Sequence, residues 1–141
     1  MQVRANMERY SIGDIERFSK TVGESDVYLF AGIVGDFYGV HLNEEFAKQT
    51  RFGKRIAQGA LSIGFIATVM GYLAGRAEGA GAVSYRYDIT FRAPVFIGET
   101  VTAQLELVEK NLERSICIFK ATVLNQDGAT VADGQTYLKV L

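Results

Sequence analysis

The sequence predicts an α+β domain in which a curved antiparallel sheet wraps around one long central apolar helix. Three observations lead there. Apolar side chains crowd the segment from Gly59 to Gly75 on nearly every side. Three runs after residue 82 alternate apolar and polar residues with a period of two. The composition changes from helix-like to strand-like once, near residue 80, as expected when helices are grouped ahead of a sheet.

Each element follows in order. Ile15 to Val22 is predicted as a short first strand. Ser25 is read as the N-cap of a helix running to about Val34, with Asp26 in its first turn. Val27, Phe30, Ala31 and Val34 fall at helical spacing and form one apolar face, which Gly35 ends. Asp36 to His41 is read as an irregular turn, and Asn43 as the cap of a short surface helix through Lys48. In the long helix, Leu61, Ile63, Phe65, Ile66, Val69, Met70 and Leu73 cover most of the circumference. A helix apolar all round is expected to be enclosed all round, and a curved sheet can enclose it.

The strands supply that sheet. Val83, Tyr85, Tyr87, Ile89 and Phe91 alternate with Ser84, Arg86, Asp88, Thr90 and Arg92, the pattern of a strand with one buried face. Val101, Ala103, Leu105 and Leu107 alternate in the same way, as do Cys117, Phe119, Ala121 and Val123. Asn125-Gln126-Asp127-Gly128 marks a hairpin turn, and a last strand runs from Ala129 or Thr130 to the C-terminus. Four antiparallel strands after one apolar helix describe the hot-dog arrangement.

Composition narrows the function. Residues 1–141 are the size of one domain, large enough to bury a core without disulfides or a structural metal. A net charge of −1 offers no electrostatic case for a nucleic-acid partner. The apolar segment 59–75 is short of the ~20 residues needed to span a bilayer, so no membrane partner is expected. The N-terminal residues contain no continuous apolar stretch of the kind a signal peptide needs, and a cytoplasmic location is expected. The single cysteine, Cys117, reads as a small buried apolar side chain. One His and one Cys do not build a common zinc site, and the carboxylates show no metal-ligand cluster, so no metal is expected. Neither a phosphate loop nor a GxSxG serine is present.

His41 is the only histidine and follows Asp36 by five positions in a glycine-flanked segment. Such a pair, brought together by an irregular turn, can converge on one water and supply the base and acid that hydration requires. The same residues fit a turn-forming Asp and a structural His equally well on spacing. Gly59 stands at the start of the apolar helix, where unpaired N–H groups and the positive dipole end can stabilise a developing oxyanion. It also fits as an ordinary first helical residue. Lys54-Arg55 reads as a solvated turn, with ligand phosphates as an alternative role.

Three segments together resemble one family. Gly35-Asp36-Phe37-Tyr38-Gly39-Val40-His41-Leu42-Asn43 resembles the "hydratase 2" motif, G-D-x-N-P-x-H, of the MaoC-like (R)-specific enoyl-CoA hydratases. Arg55-Ile56-Ala57-Gln58-Gly59-Ala60-Leu61 resembles that family's lead into its central helix, and Tyr87 to Val101 its strand–Pro–Val–x–x–Gly–Asp/Glu stretch. The resemblance implies reversible syn addition of water to a 2-enoyl thioester. It gives Asp36 and His41 as the pair that activates the water and Gly59 as the N–H donor to the thioester oxygen. It also implies an acyl-CoA substrate, no cofactor beyond that thioester, and a homodimer with its sheets joined side by side.

The departures mark pocket candidates. Tyr38 replaces the usual Asn, Gly39 the usual Pro, and Gln58 a frequent His. The family's helix serine corresponds to Ala67, beside Thr68. A hot-dog acyl-CoA thioesterase and a non-catalytic acyl-thioester binding module are the alternatives. The absence of Asp and Glu between Gly59 and Gly75 argues against the first, and the retained Asp36 and His41 against the second.

Overall fold

The computed structural model describes residues 1–141. The chain folds as α1 (Gln2–Met7), β1 (Ile15–Thr21), α2 (Glu24–Val34), α3 (Gly39–Leu42), α4 (Glu44–Lys48) and α5 (Gly59–Ala74). A 3₁₀ turn at Glu78–Ala80 precedes β2 (Ala82–Phe91), β3 (Thr100–Asn111), β4 (Ile116–Leu124) and β5 (Thr130–Val140). The five strands form one antiparallel sheet in the order β1-β3-β4-β5-β2. Helix α5 packs against every strand, which requires the sheet to curve around it. This is the α+β hot-dog arrangement.

Alternation explains the core. Val101, Ala103, Leu105 and Leu107 of β3 and Cys117, Phe119, Ala121 and Val123 of β4 are all buried, and the residues between them are less buried. Phe65, Ile66, Val69, Met70 and Leu73 of α5 meet them. Burying each such side chain contributes about 1.5–3 kcal/mol. Burial also pushes the Cys117 thiol up to about 11, leaving it protonated and inert at neutral pH.

The structure corrects several expectations. Helix α5 is not enclosed all round: Ala60, Gly64, Ala67, Gly71 and Tyr72 are exposed, because the sheet covers one side only. Strand β2 is the sheet edge beside β5, and its register slips at Tyr85. Val83, Tyr85 and Phe91 are therefore exposed, while Ala82, Tyr87 and Ile89 pack on the core. Ser25 does not cap α2. Gly23 occupies the cap, and its N–H donates to the Asp26 carboxylate at 2.8 Å, the reciprocal half of a capping box. Helix α1 carries no apolar periodicity to announce it. It is pinned by Asn6, whose side chain exchanges hydrogen bonds with the backbone of Glu78.

The β2–β3 connection matters most for function. Because β2 and β3 lie near opposite edges of the sheet, residues 92–99 must cross one end of it. There Ala57 N–H donates to Val95 O at 2.7 Å, so the crossing strip runs beside the residues that open α5.

Candidate active site

His41 does not lie in a loop, as its surroundings in the sequence suggested. It sits in the single turn of α3, while Asp36 remains in the irregular segment before it. The difference is local: His41 N–H donates to Tyr38 O and Asn43 N–H to Gly39 O, closing one helical turn. Asn43 caps α4, as expected, by accepting from Phe46 N–H at 3.0 Å. Gly39 opens α3 against the Phe46 ring, and a Cβ there would stand 3.0 Å from a ring carbon. A glycine thus answers the packing of α3 on α4.

The pair converges. Asp36 Oδ2 is 3.8 Å from His41 Nε2, too long for a direct hydrogen bond. A water oxygen about 2.8 Å from each atom completes a triangle with them. The other carboxylate oxygen, Oδ1, accepts from Tyr38 N–H at 3.2 Å, which sets the carboxylate's direction. On the far side of the ring, His41 Nδ1 lies 2.7 Å from Ile56 O. A carbonyl only accepts, so Nδ1 carries a proton, and Nε2 is the ring nitrogen left to face Asp36. The histidine is 8% exposed, and the Asp36 side chain 43%.

Ile56 ties the site to the fold. Its N–H donates to Val40 O at 3.2 Å, its carbonyl receives His41, and it bridges to Phe96 of the crossing strip. Next to it, Gln58 is the N-cap of α5 and Gly59 the first helical residue. The Gly59 N–H has no helical partner by position. A Cβ on Gly59 would lie 3.0–3.2 Å from three atoms of the Phe91 ring, so the missing side chain is what lets Phe91 lie there.

A cavity of about 300 Å³ joins these groups. His41, Gln58, Gly59 and Ser62 line it with Phe91 and Val95 among its apolar walls. The structure thus brings His41, Gln58 and Gly59 together, with Asp36 reached through His41. Tyr38 and Gly39 do not line the cavity. Tyr38 is 59% exposed and sets its ring edge-on to His41, 5.8 Å between centroids, covering the imidazole from outside. Ala67, the counterpart of the family's helix serine, is on the exposed side of α5. A larger depression of about 590 Å³ under α1 has no histidine in its lining.

Two contributors escaped the sequence reading. Ser62 lines the cavity one turn beyond Gly59, and the i,i+3 rule for helix faces would have found it. Arg55 is not in a solvated turn. Its side chain, 12% exposed, is bonded to Glu24 and Tyr28 of α2 and to Glu44 of α4. Those carboxylates and the phenol drive its pKa above the ordinary arginine value against the cost of burial. Arg55 therefore clamps two helices to the segment that receives His41. Only the tertiary structure gathers its three partners.

With the geometry in place, the comparisons carry weight. The family model described as "MaoC like domain" matches residues 12–128. A protein named (R)-specific enoyl-CoA hydratase, from Rhodospirillum rubrum, is 39% identical over 128 residues, covering 91% of this chain and 86% of the relative. A 3-hydroxybutyryl-CoA dehydratase from Methylorubrum extorquens is 39% identical over 133 residues, 94% of this chain and 82% of its own. Among solved structures, the (R)-hydratase from A. caviae superposes with a TM-score of 0.85 at 27% identity, covering 94% of this chain and 98% of the other.

Proposed function

Because the chain belongs to the MaoC-like domain family, we propose that Asp36 and His41 carry out reversible, (R)-specific hydration of a 2-enoyl thioester. The chain is a hydro-lyase of the enoyl-CoA hydratase type, like the relatives it resembles across nearly its whole length. The observation that supports the assignment of residues is the basic Nε2 of His41 facing Asp36 Oδ2 across 3.8 Å, beside a cavity that also contains Gly59.

The chemistry follows from that arrangement. A water held between the carboxylate and Nε2 loses a proton to the pair as its oxygen bonds to C3 of the enoyl group. The C2=C3 electrons move toward the thioester carbonyl, whose oxygen gains negative charge. The free N–H of Gly59, at the positive end of α5, stabilises that oxygen. The proton then returns to C2 from the same side of the substrate, so hydrogen and hydroxyl add syn with no net proton change. Dehydration is the same path reversed. Hydration by this route calls for the acyl-CoA thioester as substrate and for no cofactor.

The proposed assembly is a homodimer. Strand β2 leaves one backbone edge unpaired and carries the exposed Val83, Tyr85 and Phe91, which suits pairing with a second sheet. No helix is long and apolar enough to cross a membrane. Light scattering on the purified chain gives the mass directly, and a monomer at micromolar concentration would sink the dimer.

Activity is tested with crotonyl-CoA, following the conjugated enoyl-thioester absorbance and free thiol together. Hydration removes the absorbance without releasing thiol. Thiol release would move the chain to the thioesterases, and silence in both channels for short and long 2-enoyl-CoAs would leave a binding module.

A further inference from the structure

Gln58 carries an unanswered polar group at the site. Its side chain is 3% exposed, and its Nε2 donates to Val27 O of α2 at 3.0 Å. Its Oε1 is buried and has no hydrogen-bond partner, the only side-chain N or O atom of which this holds. Exchanging the two amide atoms does not help, because Oε1 would then face the Val27 carbonyl, acceptor against acceptor. A buried acceptor without a donor is costly and calls for a partner. Gln58 also lines the cavity that holds His41 and Gly59, and it directly precedes Gly59, the first residue of α5 and the proposed donor to the thioester oxygen.

The ligand side supplies one matching donor. In a pantetheine thioester, an ethylene link joins the sulfur to an amide nitrogen. That N–H is the first hydrogen-bond donor met on leaving the reacting centre toward the carrier. We infer that Gln58 Oε1 accepts this N–H, so that residues 58 and 59 hold the thioester from its two polar ends. Gly59 N–H takes the carbonyl oxygen and Gln58 Oε1 takes the amide next to the sulfur. Val27 O holds the Gln58 amide in the orientation this requires, which makes Gln58 a substrate-positioning residue. The inference rests on the thioester reading above and adds to it a requirement for an amide N–H at a defined place. A substrate lacking that amide leaves the buried acceptor unpaired in the complex as well, and specificity arises from that loss.

The test uses two small substrates that differ in one group. Crotonyl-N-acetylcysteamine thioester carries the amide N–H, and the S-(2-acetoxyethyl) thioester of crotonate has an ester oxygen in its place. For the wild-type chain, kcat/KM should favour the amide on the order of tenfold or more. In Gln58→Met the amide-over-ester preference should be lost, with the ratio of the two kcat/KM values near one. Gln58→Asn, with a stem too short to reach both Val27 and the substrate, is a second variant and should lose the preference while keeping an amide. A wild-type ratio near one overturns the inference, as does a preference that survives in either folded variant. Failure to hydrate crotonyl-CoA at all would instead overturn the hydratase reading, whereas equal hydration of both probes overturns only the role of Gln58.

Discussion

The His41 imidazole donates its Nδ1 proton to the carbonyl of Ile56 at 2.7 Å, and this bond decides which ring nitrogen is basic. Ile56 is in turn held by Val40, one residue before His41, through its own N–H. The two segments lock each other, so the direction of the Nε2 lone pair is a property of the backbone pairing. His41→Gln and Asp36→Asn should each lower kcat about 10²–10⁴-fold. Melting temperatures should stay within a few degrees of wild type. Full turnover in either folded variant would exclude the pair as the hydrating groups.

Gly59 is crowded by Phe91, not open to solvent alone. Gly59→Ala keeps the N–H but places a Cβ 3.0–3.2 Å from the ring, so Phe91, which lines the cavity, must shift. Turnover should fall about tenfold or more from misplaced substrate. Adding Phe91→Ala should restore part of it. An unaffected single variant would mean that Phe91 has room to move elsewhere.

Arg55 grips Glu24, Tyr28 and Glu44 beside the residue that receives His41. Its partners are partly exposed, which limits what the ion pairs contribute. Arg55→Met should cost about 1–2 kcal/mol in denaturant unfolding, mostly through unpaired partners and loosened helices. It should also lower kcat more than it raises KM, because it disturbs alignment instead of contact. Unchanged stability together with unchanged kcat would show that the clamp holds nothing the site needs.

The same clamp sets an acid limit. Glu24 is held below its ordinary value of 4.5, first by the hydrogen bond from Arg55, then by its charge. A depressed carboxylate contributes stability that is fully present above pH 4.5 and is lost as pH falls through its lower folded value. The difference in stability between wild type and Glu24→Gln should therefore be constant near neutrality and shrink below about pH 4.5. A difference that grows with acid would reverse the sign and exclude this linkage. Glu24 is exposed, so salt should reduce the effect at every pH.

Much of this protein follows from local sequence alone. The alternation in β3 and β4 has one physical outcome, because a period of two puts Val101 to Leu107 and Cys117 to Val123 on single faces that must be buried. The length and apolarity of 59–74 make a core helix, and Asn43 caps α4 because its side chain reaches the Phe46 N–H without help from elsewhere. Asp36 and His41 were identifiable as candidates because His41 is the only histidine and sits in a recognisable motif.

What the tertiary structure decided is the part that depends on residues far apart. Placing β2 beside β5 at the sheet edge left Val83, Tyr85 and Phe91 exposed on the face whose alternation reads as buried, and it forced residues 92–99 across the N-terminal end of α5. That crossing, held by Ile56 and Ala57 through Phe96 and Val95, gathers His41, Gln58 and Gly59 into one cavity. The Nδ1 proton, the orphaned Oε1 of Gln58 and the grip of Arg55 each depend on a partner from 11 to 31 residues away. Periodicity reports which face a residue takes. It carries no information about which distant carbonyl or carboxylate will meet that face once the sheet packs against α5.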